Sequence, residues 1–104
     1  MRIEHLDLPG LALIVPQRHQ DERGYLAETY QSQRFGQAIG MTGVLQENLV
    51  WSAQASTVRG LHAQAPPHGQ AKLVGVLVGR VLDVAVDIRR GSPTYGQHCA
   101  IELT

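Results

Sequence analysis

Apolar positions in this chain fall in short runs broken by glycine and proline, and only one stretch has the spacing of a helix. Residues 11–15 form an apolar run closed by Pro16. The segment Asp21-Glu22-Arg23-Gly24 reads as a turn, and residues 25–30 as the extended stretch after it, so an opening hairpin is predicted. From Ser32 to Ile39 the pattern changes. Phe35, Ala38 and Ile39 fall on one helical face, Ser32 can cap the start and Gly40 can end the last turn, which predicts one short helix. Strand-like segments then follow at residues 44–52, 57–64, 73–78, 81–88 and 99–103, separated by glycine and proline turns. A single helix among so many strands excludes repeated βαβ units. The expected architecture is all-β, a jelly-roll sandwich or barrel with one short helix, and residues 1–104 form one domain.

Residues 81–88 alternate strictly. Leu82, Val84, Val86 and Ile88 point one way, and Val81, Asp83, Ala85 and Asp87 the other. The first face is expected to be core. The second, with two carboxylates among small side chains, is either a solvated outer surface or the lining of a polar pocket.

Lys plus Arg and Asp plus Glu both number 9, so no net field draws the chain to nucleic acid or to an anionic membrane, and any anion must be held by a local site. No apolar run approaches the roughly 20 residues that a membrane helix needs, and the N-terminus lacks the layout of a signal peptide, so a cytoplasmic chain is expected. Cys99 is the only cysteine. No internal disulfide can form, and a thiolate metal site would lack ligands. Lys72 is the one lysine among nine cationic side chains. It is either a snorkelling surface residue or an ammonium required where an oxyanion develops.

Chemistry-bearing residues are densest from Arg59 to Lys72, in the order RGLHAQAPPHGQAK. In a flat strand Arg59 and His62 project to opposite faces, but Gly60 between them is where a bulge can turn both into one cavity. His5, His19 and His98 read as structural or surface residues, and His68 as part of an exposed proline-rich loop. Metal-dependent cupins share such an architecture, with two histidines one residue apart and a carboxylate soon after. Here Gln64 takes the second histidine's place and no acidic residue follows until Asp83, so a metal-free cavity is expected.

Taken together, DERG, FGQAIG, QENLVWS, RGLHAQAPP, QAKLV and DVAVDIRRGSPTYGQ resemble the dTDP-4-dehydrorhamnose 3,5-epimerase family, in that family's order and spacing and over essentially the whole chain. The resemblance implies a cupin-like jelly-roll barrel, a homodimer and no cofactor or metal. It implies action on dTDP-4-dehydro-6-deoxy-D-glucose in making the dTDP-L-rhamnose precursor of cell-surface polysaccharide. His62 resembles the family's general base and Lys72 the cation that meets the enolate oxygen. Arg23 and Glu28 resemble residues that bind the nucleotide, Gln46, Glu47 and Asn48 polar contacts from the next strand, and Arg59 a ligand to the diphosphate. Asp83 resembles an interior carboxylate that steadies a second histidine.

Two departures stand near the implied pocket: Leu49 where the family commonly has histidine, and Ala63 in place of an aromatic. Family members also continue through further strands with a tyrosine acid, a second histidine and the aspartate paired with the base. Tyr25, Tyr30 and Tyr95 match other positions, so none is assigned as that acid. An incomplete barrel is therefore expected, with unpaired strand edges and an exposed apolar face. The alternative to an isomerase is a catalytically inactive nucleotide-sugar-binding homologue or a truncated remnant.

Overall fold

The apolar run near the N-terminus is extended because it finds an antiparallel partner. In the computed structural model, which describes residues 1–104, β1 (Arg2–His5) pairs with β2 (Ala12–Val15), with Arg2 opposite Val15 and His5 opposite Ala12. The loop between them closes through Leu6 N–H to the Leu11 carbonyl and Leu11 N–H to the Leu8 carbonyl, both 3.0 Å, and it buries Leu8.

The DERG turn does make a hairpin, but its arms are β3 (Arg18–Asp21) and β4 (Gly24–Ala27). The run at 11–15 pairs backwards with β1, because Pro16 has no N–H and ends β2 before the turn. Helix α1 (Ser32–Ile39) occupies the predicted residues. Its cap is Gln31, one residue earlier than expected, whose side chain accepts the Arg34 N–H at 2.6 Å. Gly40 ends it at φ 71°, donating its N–H to the Gly36 carbonyl. The helix buries Phe35 completely, edge-on to Tyr30 with centroids 4.9 Å apart.

The last hairpin joins β5 (Val81–Val86) to β6 (His98–Leu103), with Asp83 opposite Ile101 and Ala85 opposite Cys99. Opposed residues share a face, so Asp83 and Ala85 lie with Cys99, Ile101 and Leu103, all half-buried. The expected core face is covered only at its middle, where Val84 and Val86 are half-buried. Leu82 and Ile88, assigned to the core face, are 68% and 61% exposed, whereas Asp87 on the carboxylate face is only 4% exposed.

Asp87 is buried because the loop from 87 to 97 folds around it. Its carboxylate accepts bonds from the Arg89 N–H and Nε, from Arg89 Nη2, and from the hydroxyls of Ser92 and Thr94, at 2.6–3.0 Å. Its backbone is also paired, with N–H to the Gln97 carbonyl and C=O to the Gly96 N–H. The Arg89 guanidinium, then the Ser92 and Thr94 hydroxyls, hold this carboxyl well below the usual carboxylate range, and Asp87 in turn raises Arg89.

The three hairpins form three separate two-stranded sheets. The strands expected at 44–52, 57–64 and 73–78 are not formed. Between residues 41 and 80 the one backbone–backbone hydrogen bond is His68 N–H to the Ala65 carbonyl. A strand is defined by its ladder, and no strand of this chain lies alongside these segments to provide one. The consequence is an open shape: a Cα radius of gyration of 15.3 Å, against about 13 Å for a compact domain of this length. Leu8, Phe35 and Asp87 are the only fully buried residues.

Candidate functional site

The β3–β4 hairpin presents the first group of expected site residues. Arg23 sits at its turn and folds back on Asp21: its N–H donates to Oδ1 at 2.9 Å, its Nε to Oδ2 at 3.1 Å, and its Nη2 also to Oδ2. The Arg23 guanidinium, and then its backbone N–H, lower the Asp21 carboxyl below its ordinary value. A cation held this way has its fork already engaged, so an anionic ligand must displace or share it. Glu28, just past β4, pairs with Arg34 of α1 at 2.9 Å. Arg18 lies over the Tyr25 ring at 4.6 Å, which stiffens the hairpin.

Two clefts flank the hairpin. One, of about 320 Å³, is lined by Met1, Gln17, His19, Glu28 and Arg34. The other, of about 300 Å³, is lined by His19, Asp21, Arg23, Gly24, Tyr25 and Leu26. His19 belongs to both, although sequence reasoning left it among the structural histidines. The missed signal is its i, i+2 relation to Asp21, which puts both on one face once Arg18–Asp21 is a strand.

The second group lies on the extended chain between 41 and 80. Gln46 Nε2 donates to Asn48 Oδ1 at 3.1 Å, and Glu47 between them is exposed. Arg59 reaches to the preceding segment, with its Nε on the Ser52 hydroxyl at 3.2 Å and its Nη2 near the Trp51 carbonyl at 3.5 Å. This contact ties the QENLVWS and RGLH segments together. His62 and Lys72 are both exposed and make no side-chain hydrogen bond or ion pair. Asp83 on β5 is half-buried. No hydrogen bond or ion pair joins His62, Lys72 and Asp83 to one another.

Gly60 adopts φ +92°, so the chain departs there from the regular extended form. The bulge predicted at Gly60 has no ladder to sit in, and no hydrogen bond joins Arg59, which reaches Ser52 and Trp51, to His62. No group of three His, Cys, Asp or Glu side chains stands together in a way that could hold a metal ion. No helix is long and apolar enough to cross a membrane.

Comparison with known proteins places this arrangement. The dTDP-4-dehydrorhamnose 3,5-epimerase family model matches residues 5–104. The dTDP-4-dehydrorhamnose 3,5-epimerase of Sinorhizobium fredii (strain NBRC 101917 / NGR234) is 42% identical over 104 residues, all of this chain and 53% of its own length. The crystal structure of dTDP-4-dehydrorhamnose 3,5-epimerase from Elizabethkingia anophelis NUHP1 superposes with a TM-score of 0.91 at 40% identity, over 100% of this chain and 57% of that one. The dTDP-6-deoxy-D-glucose-3,5-epimerase of Legionella pneumophila Philadelphia 1, in complex with dTDP-4-keto-L-rhamnose, superposes at 0.88 and 40% identity, over 99% and 54%.

The chain thus spans a little over half the length of these relatives. Its hairpins and the extended segments between them follow the cupin-like jelly roll of the solved enzymes, so the fold class read from the sequence holds. With the family model matched from residue 5 to residue 104, the chain belongs to the dTDP-4-dehydrorhamnose 3,5-epimerase family.

Proposed function

We propose that this chain carries the base and the enolate-stabilising cation of a nucleotide-sugar epimerase acting on dTDP-4-dehydro-6-deoxy-D-glucose. A ketone at C4 makes the hydrogens at C3 and C5 acidic, because the electron pair left on carbon delocalises onto oxygen as an enolate. His62 takes the proton. The Lys72 ammonium stands where negative charge builds on the oxygen, and it stabilises the transition state more than the neutral ketone. Inversion requires the proton to return to the opposite face of the carbon, so the acid that delivers it is a group other than His62.

Arg59 binds the diphosphate, and Arg23, Glu28, Gln46, Glu47 and Asn48 bind the nucleotide, while Asp83 steadies a neighbouring histidine. The reaction needs neither cofactor nor metal. A homodimer working in the cytoplasm belongs to the same reading, and the unpaired edges between 41 and 80 are consistent with strand pairing to another chain.

One observation carries the proposal. The Legionella enzyme that superposes on 99% of this chain, at 40% identity, is in complex with dTDP-4-keto-L-rhamnose. The test is deuterium uptake at C3 and C5 of the substrate. His62→Ala abolishes uptake, and Lys72→Ala slows it by about 10²–10³-fold, the usual loss when a preorganised oxyanion donor is removed. Full uptake in His62→Ala refutes the assigned base.

The charged groups at the β3–β4 hairpin, Arg23 at its turn and Glu28 paired with Arg34, favour a second reading, in which the chain binds the nucleotide without turning it over. Titration with dTDP then gives a saturable signal that Arg23→Ala weakens, while substrate hydrogens stay unexchanged. A folded sample that never saturates removes this reading.

A further inference from the structure

Arg59 and His62 are three residues apart, an odd interval that sends side chains to opposite faces of a regular strand. Gly60 lies between them at φ +92°, a conformation that residues with an L-configured side chain rarely adopt. A β-carbon built there would stand 3.3 Å from His62 Cδ2, 3.4 Å from its backbone nitrogen and 3.6 Å from its Nε2. The imidazole is therefore folded back over the glycine α-carbon, at distances where a methyl group would press on the ring.

Other glycines show that this is not simply what a left-handed turn looks like. Gly24, Gly40, Gly79, Gly91 and Gly96 also have positive φ with nothing within 4 Å of a built β-carbon, and Gly10, at φ +87°, meets only the far end of Arg89, its Nη1 at an ordinary 3.7 Å. At Gly60 the space left by the missing side chain is taken by the one histidine of the RGLH segment.

We propose that Gly60 is the positioning residue of the base: its left-handed backbone and its bare α-carbon seat the His62 imidazole. This rests on the reading of His62 as the base. Gly60 touches no substrate and acts only through the ring. An L-residue at this position fails twice, because the backbone is strained and the β-carbon meets Cδ2. The contact alone makes the ring give by a few tenths of an ångström, and relief of the backbone strain at Gly60 moves it further; a general base displaced by about 1 Å in all from its line of attack loses on the order of a hundredfold in rate. Arg23 and Glu28 lie on the separate β3–β4 hairpin, and the Arg59 guanidinium is anchored upstream on the Ser52 hydroxyl and the Trp51 carbonyl, so nucleotide binding is retained and the loss is in kcat.

The experiment compares Gly60→Ala with Gly60→D-Ala, the latter made by total synthesis. A D-residue prefers positive φ and directs its β-carbon to the other side of the backbone. In the native chain, proton NMR gives a nuclear Overhauser contact between a Gly60 α-proton and His62 Hδ2. Gly60→Ala loses this contact and slows C3 and C5 deuterium exchange about a hundredfold with dTDP affinity unchanged, and Gly60→D-Ala recovers both contact and exchange. Core signals from Leu8 and Phe35 report folding in each variant.

A Gly60→Ala chain that keeps both contact and rate overturns the proposal, as does one that loses the contact without slowing. If the native chain exchanges no hydrogens, the base assignment fails instead. The Overhauser contact alone then decides whether Gly60 seats the ring, and its absence from the native chain rejects the seat.

Discussion

Between residues 45 and 78 the chain exposes an apolar strip large enough to drive association. Leu45, Leu49, Trp51, Val58, Leu77 and Val78 are each more than three-quarters exposed, on segments whose backbone groups are almost all unpaired. Burying a large apolar side chain contributes about 1.5–3 kcal/mol, so covering the equivalent of all six contributes about 9–18 kcal/mol. Two copies that each cover half of the other's strip reach that figure together. Lost rigid-body freedom opposes it by about 4–15 kcal/mol. The midpoints leave about 4 kcal/mol, a dissociation constant near 1 mM, and fuller mutual cover takes it well below micromolar. Sedimentation equilibrium from about 5 to 500 µM should therefore show mass rising above the 11.4 kDa monomer with concentration. Leu45→Lys with Leu77→Lys removes about 3–6 kcal/mol of that burial and weakens association at least about a hundredfold. A well-folded native chain that stays monomeric across the range, or a double variant that associates equally well, would refute the reasoning.

Phe35→Ala removes the only completely buried large side chain and its edge-on contact with Tyr30, which should cost about 3–5 kcal/mol. Urea unfolding monitored at helix α1 should show a lower midpoint, and an unchanged midpoint would mean that α1 is held by something else. Asp87 has a folded-state pKa below its ordinary value of 3.8, so its contribution to stability is complete above that value and is lost as the pH falls below it. Amide exchange at Gly96 and Gln97 should keep constant protection relative to intrinsic exchange from neutral pH to about 5 and lose it in stronger acid, whereas Asp87→Asn should start less protected and show little of this dependence. Equal acid sensitivity in both would place the titrating group elsewhere.

What the sequence revealed follows from how local each feature is. Helix α1 was legible because its apolar face and terminal glycine lie within ten residues, and β5 as a strand because its residues alternate, while its pairing with β6 was not read from the sequence. The DERG turn was legible for the same reason, although β1 went unseen: Arg2–His5 has a single strongly apolar residue, and only its pairing with β2 makes it a strand. The segments at 44–52, 57–64 and 73–78 carry strand-like sequence, yet strand-like sequence is not a ladder, and no partner within the chain supplies one. Alternation also gave the faces of β5 without their environment. It separated Asp83 and Asp87 from Leu82 and Ile88 correctly, but burial depended on Arg89, Ser92 and Thr94 closing over Asp87. Of the candidate site, Arg59, His62 and Lys72 were assigned roles through the family resemblance, because residue type alone left a surface reading open and the fold leaves His62 and Lys72 exposed; the place of His19 beside both faces of the hairpin emerged only from the folded arrangement.

The most direct test of the account is proton NMR of dTDP-4-dehydro-6-deoxyglucose incubated with the native chain in D2O. The account predicts loss of the C3 and C5 hydrogen signals, because a base and an enolate-stabilising cation suffice for exchange even before the opposite-face acid acts. Signals that persist at full intensity beside a folded chain that binds dTDP would contradict it.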